Sequence, residues 1–299
     1  MDSGAQSSTR ARTLAGALEA FAGQVYFAPE AHAGYARLGF SGSPGDARGV
    51  AMPDGAAYFC SRGSVLGQVP GHVVAAAFGV FNPAVVVPAV EYGWSLTTAA
   101  EICTARDEAA LGQLTRVLGD DPPEAAQLVD ALGSVSESLP VAGRPLYAGL
   151  LALPVPDALL GAAWRYADRL REFRGDAHTA AWTGAGLSGV EIGLLTELYW
   201  GLRPKTYIRS RAWSEEELDT GIADLQGRGL MADGRLTEDG RQVREAIEVC
   251  TDDQCSPIVD GLGDRFDDTV QQLRRLSEAV RTAHGYPAAG PHDLAALSR

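Results

Sequence analysis

The sequence predicts a mostly α-helical protein, and three observations carry that reading. Runs of alternating Val, Ile and Thr, the pattern of strands, are scarce along the 299 residues. Apolar residues instead recur at helical spacing, in segments opened by Pro, Ser or Thr and closed by Gly. Residues 188–251 then read as helix, basic turn, helix, tight Asp-Gly hairpin, helix.

Each element follows from local chemistry. Residues 1–12 are polar and read as a disordered tail. Leu14, Leu18, Phe21 and Val25 recur at helical spacing. Ala28-Pro29-Glu30 starts a second helix, because Pro suits a first turn and Glu favours its dipole. Gly39 and Ser41-Gly42 end it, and residues 41–56 read as a loop rich in Gly, Pro and Asp. A segment Tyr58 to Leu66 follows, then a helix from Gly71 to Phe81, with a break or fresh start at Asn82-Pro83. Thr97 to Leu118 reads as a helix capped by Thr97, and Pro123-Glu124 opens another to Ser138.

Residues 140–156 hold four prolines and two glycines and are expected to link two halves. The division is 13–139 for an N-terminal helical domain and 157–299 for a second domain. One helix is expected from Pro156-Asp157 to Arg174 and another from Asp176 to Gly186. Ser188 caps the next, and Ser214-Glu215-Glu216-Glu217 forms a capping box for the one after. Met231-Ala232-Asp233-Gly234-Arg235-Leu236 is a small β-wing. This order is that of a winged helix-turn-helix. A terminal amphipathic helix, Asp264 to Thr282, is expected at a dimer contact.

Composition narrows the function. Apolar content of 46% and charged content of 21% fit a globular chain. A net charge of −13 repels nucleic acid unless a local basic patch exists. Lys205 is the only lysine, and with so much Ala and Gly the composition looks like that of GC-rich coding. Cys60, Cys103, Cys250 and Cys255 are too scattered for a disulfide framework, and no metal site is expected. Residues 1–13 lack a signal-peptide core, and Val73 to Val90 is too interrupted to span a bilayer. The expectation is a cytoplasmic protein without membrane contact.

The densest chemistry is Arg171-Glu172-Phe173-Arg174-Gly175-Asp176-Ala177-His178. Two guanidiniums, two carboxylates and an imidazole run into apolar sequence, and such charge is costly to bury unpaired. The stretch is expected at a junction between two helices, as a polar knot or the edge of a site. There is also an internal echo. Glu30-Ala31-His32 leads to Gly39-Phe40-Ser41-Gly42, and Asp176-Ala177-His178 to Gly186-Leu187-Ser188-Gly189. Either it is chance, or the N-terminal half is a degenerate duplicate and one chain imitates a homodimer.

Together these residues resemble an actinobacterial family catalogued as helix-turn-helix or SalK-like, with a wing of MarR type. Tyr26-Phe27-Ala28-Pro29-Glu30, Tyr58-Phe59 with Arg62, Phe81-Asn82-Pro83 and Gly143-Arg144-Pro145-Leu146 match its elements. So do the 171–178 stretch, whose family form is R-E-H-R-G-D-G-H, and Arg211-Ala212-Trp213. Phe173 and Gln24 stand where the family often has His, and Ala177 where it has Gly. The resemblance implies a fold rather than a reaction.

Candidate site residues follow, each beside its plainer reading. His178, placed in a first turn where the dipole favours neutral imidazole, is a general acid/base or a ligand to metal or haem; otherwise it bonds backbone or Asp176. Tyr58 is the expected hydrogen-bond donor in catalysis. Arg62 and Arg174 are expected to clamp an anion; otherwise Arg62 pairs with Asp176 or Glu172, and Arg174 with Asp176. Asp176, Asn82 and Trp213 complete the expected ligand contacts, although Asn82 before Pro83 is equally a helix cap. The cofactor is unknown. DNA binding is not expected, because Ser214 to Arg228 puts Glu215, Glu216, Glu217 and Asp219 where phosphates would lie. The leading expectation is a small-molecule-binding protein of winged-helix ancestry, open to being an enzyme of specialised metabolism and acting as a monomer (pseudo-dimer) or homodimer. The alternatives are a ligand-responsive MarR-like regulator and a haem or metal protein.

Overall fold

The computed structural model describes the backbone of residues 2–287 and the side chains of residues 9–287. Helices α1 (Asp2–Gly23) and α2 (Pro29–Arg37) lead to a hairpin of β1 (Asp46–Ala47) and β2 (Val50–Ala51). Then come α3 (Gly55–Gly63), α4 (Gly71–Phe78), α5 (Pro83–Leu96), α6 (Ala99–Leu118), α7 (Pro123–Ser138) and α8 (Pro145–Leu151). The long α9 (Leu159–Gly184) precedes α10 (Gly189–Tyr199), a turn, and α11 (Glu215–Gly227). A second antiparallel hairpin of β3 (Met231–Ala232) and β4 (Arg235–Leu236) pairs Met231 with Leu236. The described chain closes with α12 (Glu238–Gln254), α13 (Ser256–Leu262) and α14 (Phe266–Thr282).

Capping chemistry sets most of the helix starts. Ser188 with Glu191, and Ser214 with Glu217, form the reciprocal boxes that the sequence predicts. The cap of α6 is Thr98 rather than Thr97, because the box needs Glu101 three residues on.

Two apolar cores result. The larger gathers α1 to α8, most of α9, α13 and α14; the smaller gathers the end of α9, α10, α11, the second hairpin and α12. The expected division at 140–156 is therefore not where the cores part. Within that segment Pro145 opens α8 at a first-turn position, where its missing N–H costs nothing. Leu146, Tyr147 and Leu150 of α8 are buried, and Tyr147 donates its hydroxyl to the carbonyls of Ser136 and Leu139. Of the second expected domain, 288–299 lie outside the described residues.

Three further expectations change. The predicted tail 1–12 belongs to α1 from Asp2, Met1 lying outside the described residues. Arg10 stacks 4.1 Å over Phe266, Ala11 is buried, and Arg12 reaches Asp252 at 2.8 Å. These partners lie more than two hundred residues away, so the segment looks unattached when read locally. The apolar side of α14 (Phe266, Val270, Leu273, Leu276, Val280) is spent inside the chain, against the core that α1 helps to form, rather than held for a dimer. The two echoed Gly-hydrophobe-Ser-Gly segments lead to different structures: Ser188 caps α10, whereas Ser41 precedes a hairpin.

Tyr147→Ala tests the placement of α8 in the core. Truncating a buried aromatic costs about 3–5 kcal/mol, so urea unfolding should show a loss of that size. A loss near zero would return 140–156 to the status of a linker.

Candidate functional site

Helix α9 runs unbroken through the 171–178 stretch. The expected junction at Gly175-Asp176 is absent, and His178 lies deep inside a helix rather than in a first turn. Gly-Asp reads locally as a helix start; here tertiary pairing on both sides holds it in the helix.

That pairing is a ladder of charges. Arg62 of α3 forks onto Glu172, Nε to Oε1 at 2.9 Å and Nη2 to Oε2 at 2.7 Å. Arg171 joins Glu172 at 2.8 Å and Glu19 of α1 at 3.2 Å. Arg174 joins Asp252 at 2.6 Å and Glu248 at 3.0 Å, both on α12. Glu248 also takes Arg244 at 2.6 Å. Burial pushes the Glu172 carboxyl up, but Arg62 and then Arg171 outweigh it and hold it at about 2. Glu248 is likewise raised by burial and brought to about 2, by Arg244, His178 and Arg174.

The predicted Arg174–Asp176 pair does not form. Asp176 is buried and accepts from the Tyr147 backbone N–H at 3.0 Å. Burial raises it to about 7, against the pull of that bond and Arg62.

Beside the ladder lies a cavity of about 270 Å³. This is just under the usual range for small-molecule sites, roughly 300–1,000 Å³. Helices α1, α3, α4, α9, α10 and α12 and the turn after α10 wall it. Of the sequence-predicted residues, Tyr58, Arg62, Arg174 and His178 meet there. Arg62 and Arg174 are not free clamps, since carboxylates already occupy their forks.

Asp176, Asn82 and Trp213 do not line the cavity and are corrected to structural positions. Asn82 caps α5 through Ala84 and donates Nδ2 to the Ala212 carbonyl and to Glu217. Trp213 donates Nε1 to the Val80 carbonyl at 2.9 Å. Both fasten the α4–α5 elbow to the turn before α11. Gly189 belongs to the same seam: a Cβ there would stand 2.6 Å from the Gly79 carbonyl oxygen.

Two cavity groups are left open. Thr251 gives its hydroxyl hydrogen to the Ile247 carbonyl, so toward His178 Nδ1, 3.1 Å away, it can only accept. Nδ1 therefore carries the proton, and Nε2 offers a lone pair that meets no hydrogen-bond partner among the described residues. Burial drives the imidazole pKa down to about 4, with Arg244 and Arg174 adding to it and Glu248 opposing. The Tyr58 hydroxyl also meets no hydrogen-bond partner among the described residues, while its ring packs against Tyr26, Phe59, Phe78 and Phe81.

A protein-family description, a helix-turn-helix family, matches residues 11–287. The chain belongs to this helix-turn-helix family. Comparison with curated proteins and with solved structures gives no match.

In this family member, the basic turn before α11 is largely neutralised from within. Lys205 pairs with Asp219 and Glu215, and Arg209 with Glu215. Arg211 instead turns to the cavity, its guanidinium 4.6 Å from the ring centres of both Phe81 and Tyr207. The sequence reading does not single out Arg211 for the cavity, nor Arg171, Tyr207 or Glu248. Setting Glu215 and Asp219 against the four bases of the turn, Arg203, Lys205, Arg209 and Arg211, leaves two bases unmatched, and sequence alone does not say which. Among the described residues no group of three or more His, Cys, Asp or Glu is placed to hold a metal. No described helix is long and apolar enough to cross a membrane.

Two outcomes follow from the ladder. Arg62→Met removes the bidentate partner of a buried carboxylate, leaves it Arg171 alone, and should cost about 1–3 kcal/mol, while Arg62→Met with Glu172→Leu should recover most of that loss. Urea melts of the single and double variants decide it; equal losses would contradict the pairing. Second, the folded protein refuses a proton at His178 until about pH 4, whereas the unfolded chain binds one at 6.5. Stability therefore falls as pH drops through that window, and His178→Asn should flatten the slope. Parallel slopes for wild type and variant would contradict it.

Proposed function

We propose that this protein binds a small organic molecule in the cavity, and that it has winged-helix ancestry without using α11 on duplex DNA. The observation that carries the reading is the pair of polar groups, His178 Nε2 and the Tyr58 hydroxyl, on two residues that line one cavity, neither with a hydrogen-bond partner among the described residues. Buried polar groups are ordinarily paired, so open ones at an enclosed site mark a place for a ligand or water. His178 is assigned to recognition: with a pKa of about 4 it is a standing acceptor at neutral pH and a poor proton carrier.

The order α10, turn, α11, hairpin, α12 supports the winged-helix reading. Acids on α11 and the internal pairing of Lys205 and Arg209 support the loss of DNA contact. Membership in a helix-turn-helix family favours one second reading, a ligand-responsive regulator. Fluorescence anisotropy with random duplex at low salt separates the two. Negligible binding is expected, and submicromolar, salt-sensitive binding would establish the regulator.

Gly175 lines the cavity from the middle of α9, and a Cβ there would meet nothing closer than 3.5 Å. Gly175→Leu should fill the cavity while leaving the melting temperature unchanged or higher, since Gly is a poor helix former. Native mass spectrometry of gently purified protein should show a small molecule retained by wild type and lost from Gly175→Leu. Equal retention in both would place the ligand elsewhere.

A further inference from the structure

Five guanidiniums line the cavity (Arg62, Arg171, Arg174, Arg211, Arg244) against three carboxylates (Glu19, Glu172, Glu248). The surplus is positive, in a chain whose net charge is −13. Four of the five are matched to carboxylates at 2.6–3.2 Å. Among the described residues Arg211 has no carboxylate partner. Its N–H groups reach only the Tyr207 hydroxyl and, at 3.4 Å, the Ser210 hydroxyl. A guanidinium carries five donors; two of those on Arg211 are engaged, and three N–H groups, Nε–H among them, remain for a carboxylate.

The surroundings narrow the shape. Phe81 and Tyr207 stand beside the Arg211 guanidinium, each ring centre 4.6 Å from its carbon, and give the cation aromatic neighbours. Tyr58, Phe78 and Trp200 add aromatic wall. The open Nε2 of His178 accepts and cannot donate while the ring is neutral, so it calls for an N–H or O–H on the ligand.

We propose that the cavity takes a compact aromatic carboxylate, with its carboxylate on the remaining N–H groups of Arg211 and a donor on the ring meeting Nε2 of His178. This rests on the reading of the cavity as a ligand site. A neutral ligand would leave the surplus charge unanswered, and a cationic one would add to it.

Isothermal titration with three probes tests it: indole-5-carboxylate, indole-5-carboxamide and 2-naphthoate. The first has charge and donor, the second lacks the charge, the third lacks the donor. The indole acid should bind at least tenfold more tightly than the amide and severalfold more tightly than naphthoate. Arg211→Gln should equalise acid and amide, and Arg211→Lys should restore part of the ratio. His178→Phe should equalise indole acid and naphthoate. These ratios report recognition, which a merely structural role for Arg211 would not move. An amide bound as well as the acid, a ratio unchanged in Arg211→Gln, or no binding by any probe would overturn the proposal. If wild type nevertheless retains a molecule that Gly175→Leu loses, the cavity reading stands and the aromatic-acid assignment alone fails.

Discussion

Everything in the middle of this protein depends on how α9 disposes of its charge. Within four residues it presents Arg171, Glu172 and Arg174 to three different neighbours. Glu19 of α1, Arg62 of α3 and the acids of α12 answer them. Buried ion pairs of this kind add little net stability, because desolvation offsets most of their attraction. Their effect is geometric. Each guanidinium donates to its carboxylates from fixed directions in one plane, so α1, α3 and α12 are held at fixed spacings around α9. The cavity is the space those spacings leave.

The same logic fastens the turn between α10 and α11. Its backbone at Arg211 receives the Asn82 N–H at 3.0 Å, and Ala212 receives the Asn82 side chain. Glu217, the box residue of α11, is bonded to that side chain as well. Arg211 is thus the one cavity cation carried by the turn, among the described residues, and the turn is anchored both to α5 and to α11. Ala212 takes a left-handed backbone, φ 63°, to make the bend, a conformation that costs a residue with a Cβ of order 1 kcal/mol and is retained where surrounding contacts demand it.

Local chemistry made the helices legible. Prolines at first turns, Ser-x-x-Glu boxes and closing glycines mark α2, α7, α10 and α11 within a residue or two. The 171–178 stretch also announced a polar knot. What local reading could not supply was the partner of each charge. Arg12 finds Asp252, and Arg62 finds Glu172, across separations that no periodicity reveals. That is why α1 looked like a tail and α9 looked like two helices. Tyr58 and His178, which the sequence singles out, both line the cavity. Asn82 and Trp213 serve the seam instead, and Asp176 fastens α8 through the Tyr147 N–H, since capping and backbone bonding need the same donors and acceptors as ligand binding.

The central claim is that the α9 ladder is ionised and paired inside the protein while Asp176, a few residues away, is not. Carbon-detected NMR titration of the side-chain carboxyls measures this directly. Glu172 and Glu248 should stay ionised to about pH 2, and Asp176 should titrate near 7. All three carboxyls titrating together at ordinary carboxylate values, near 4, would contradict the account.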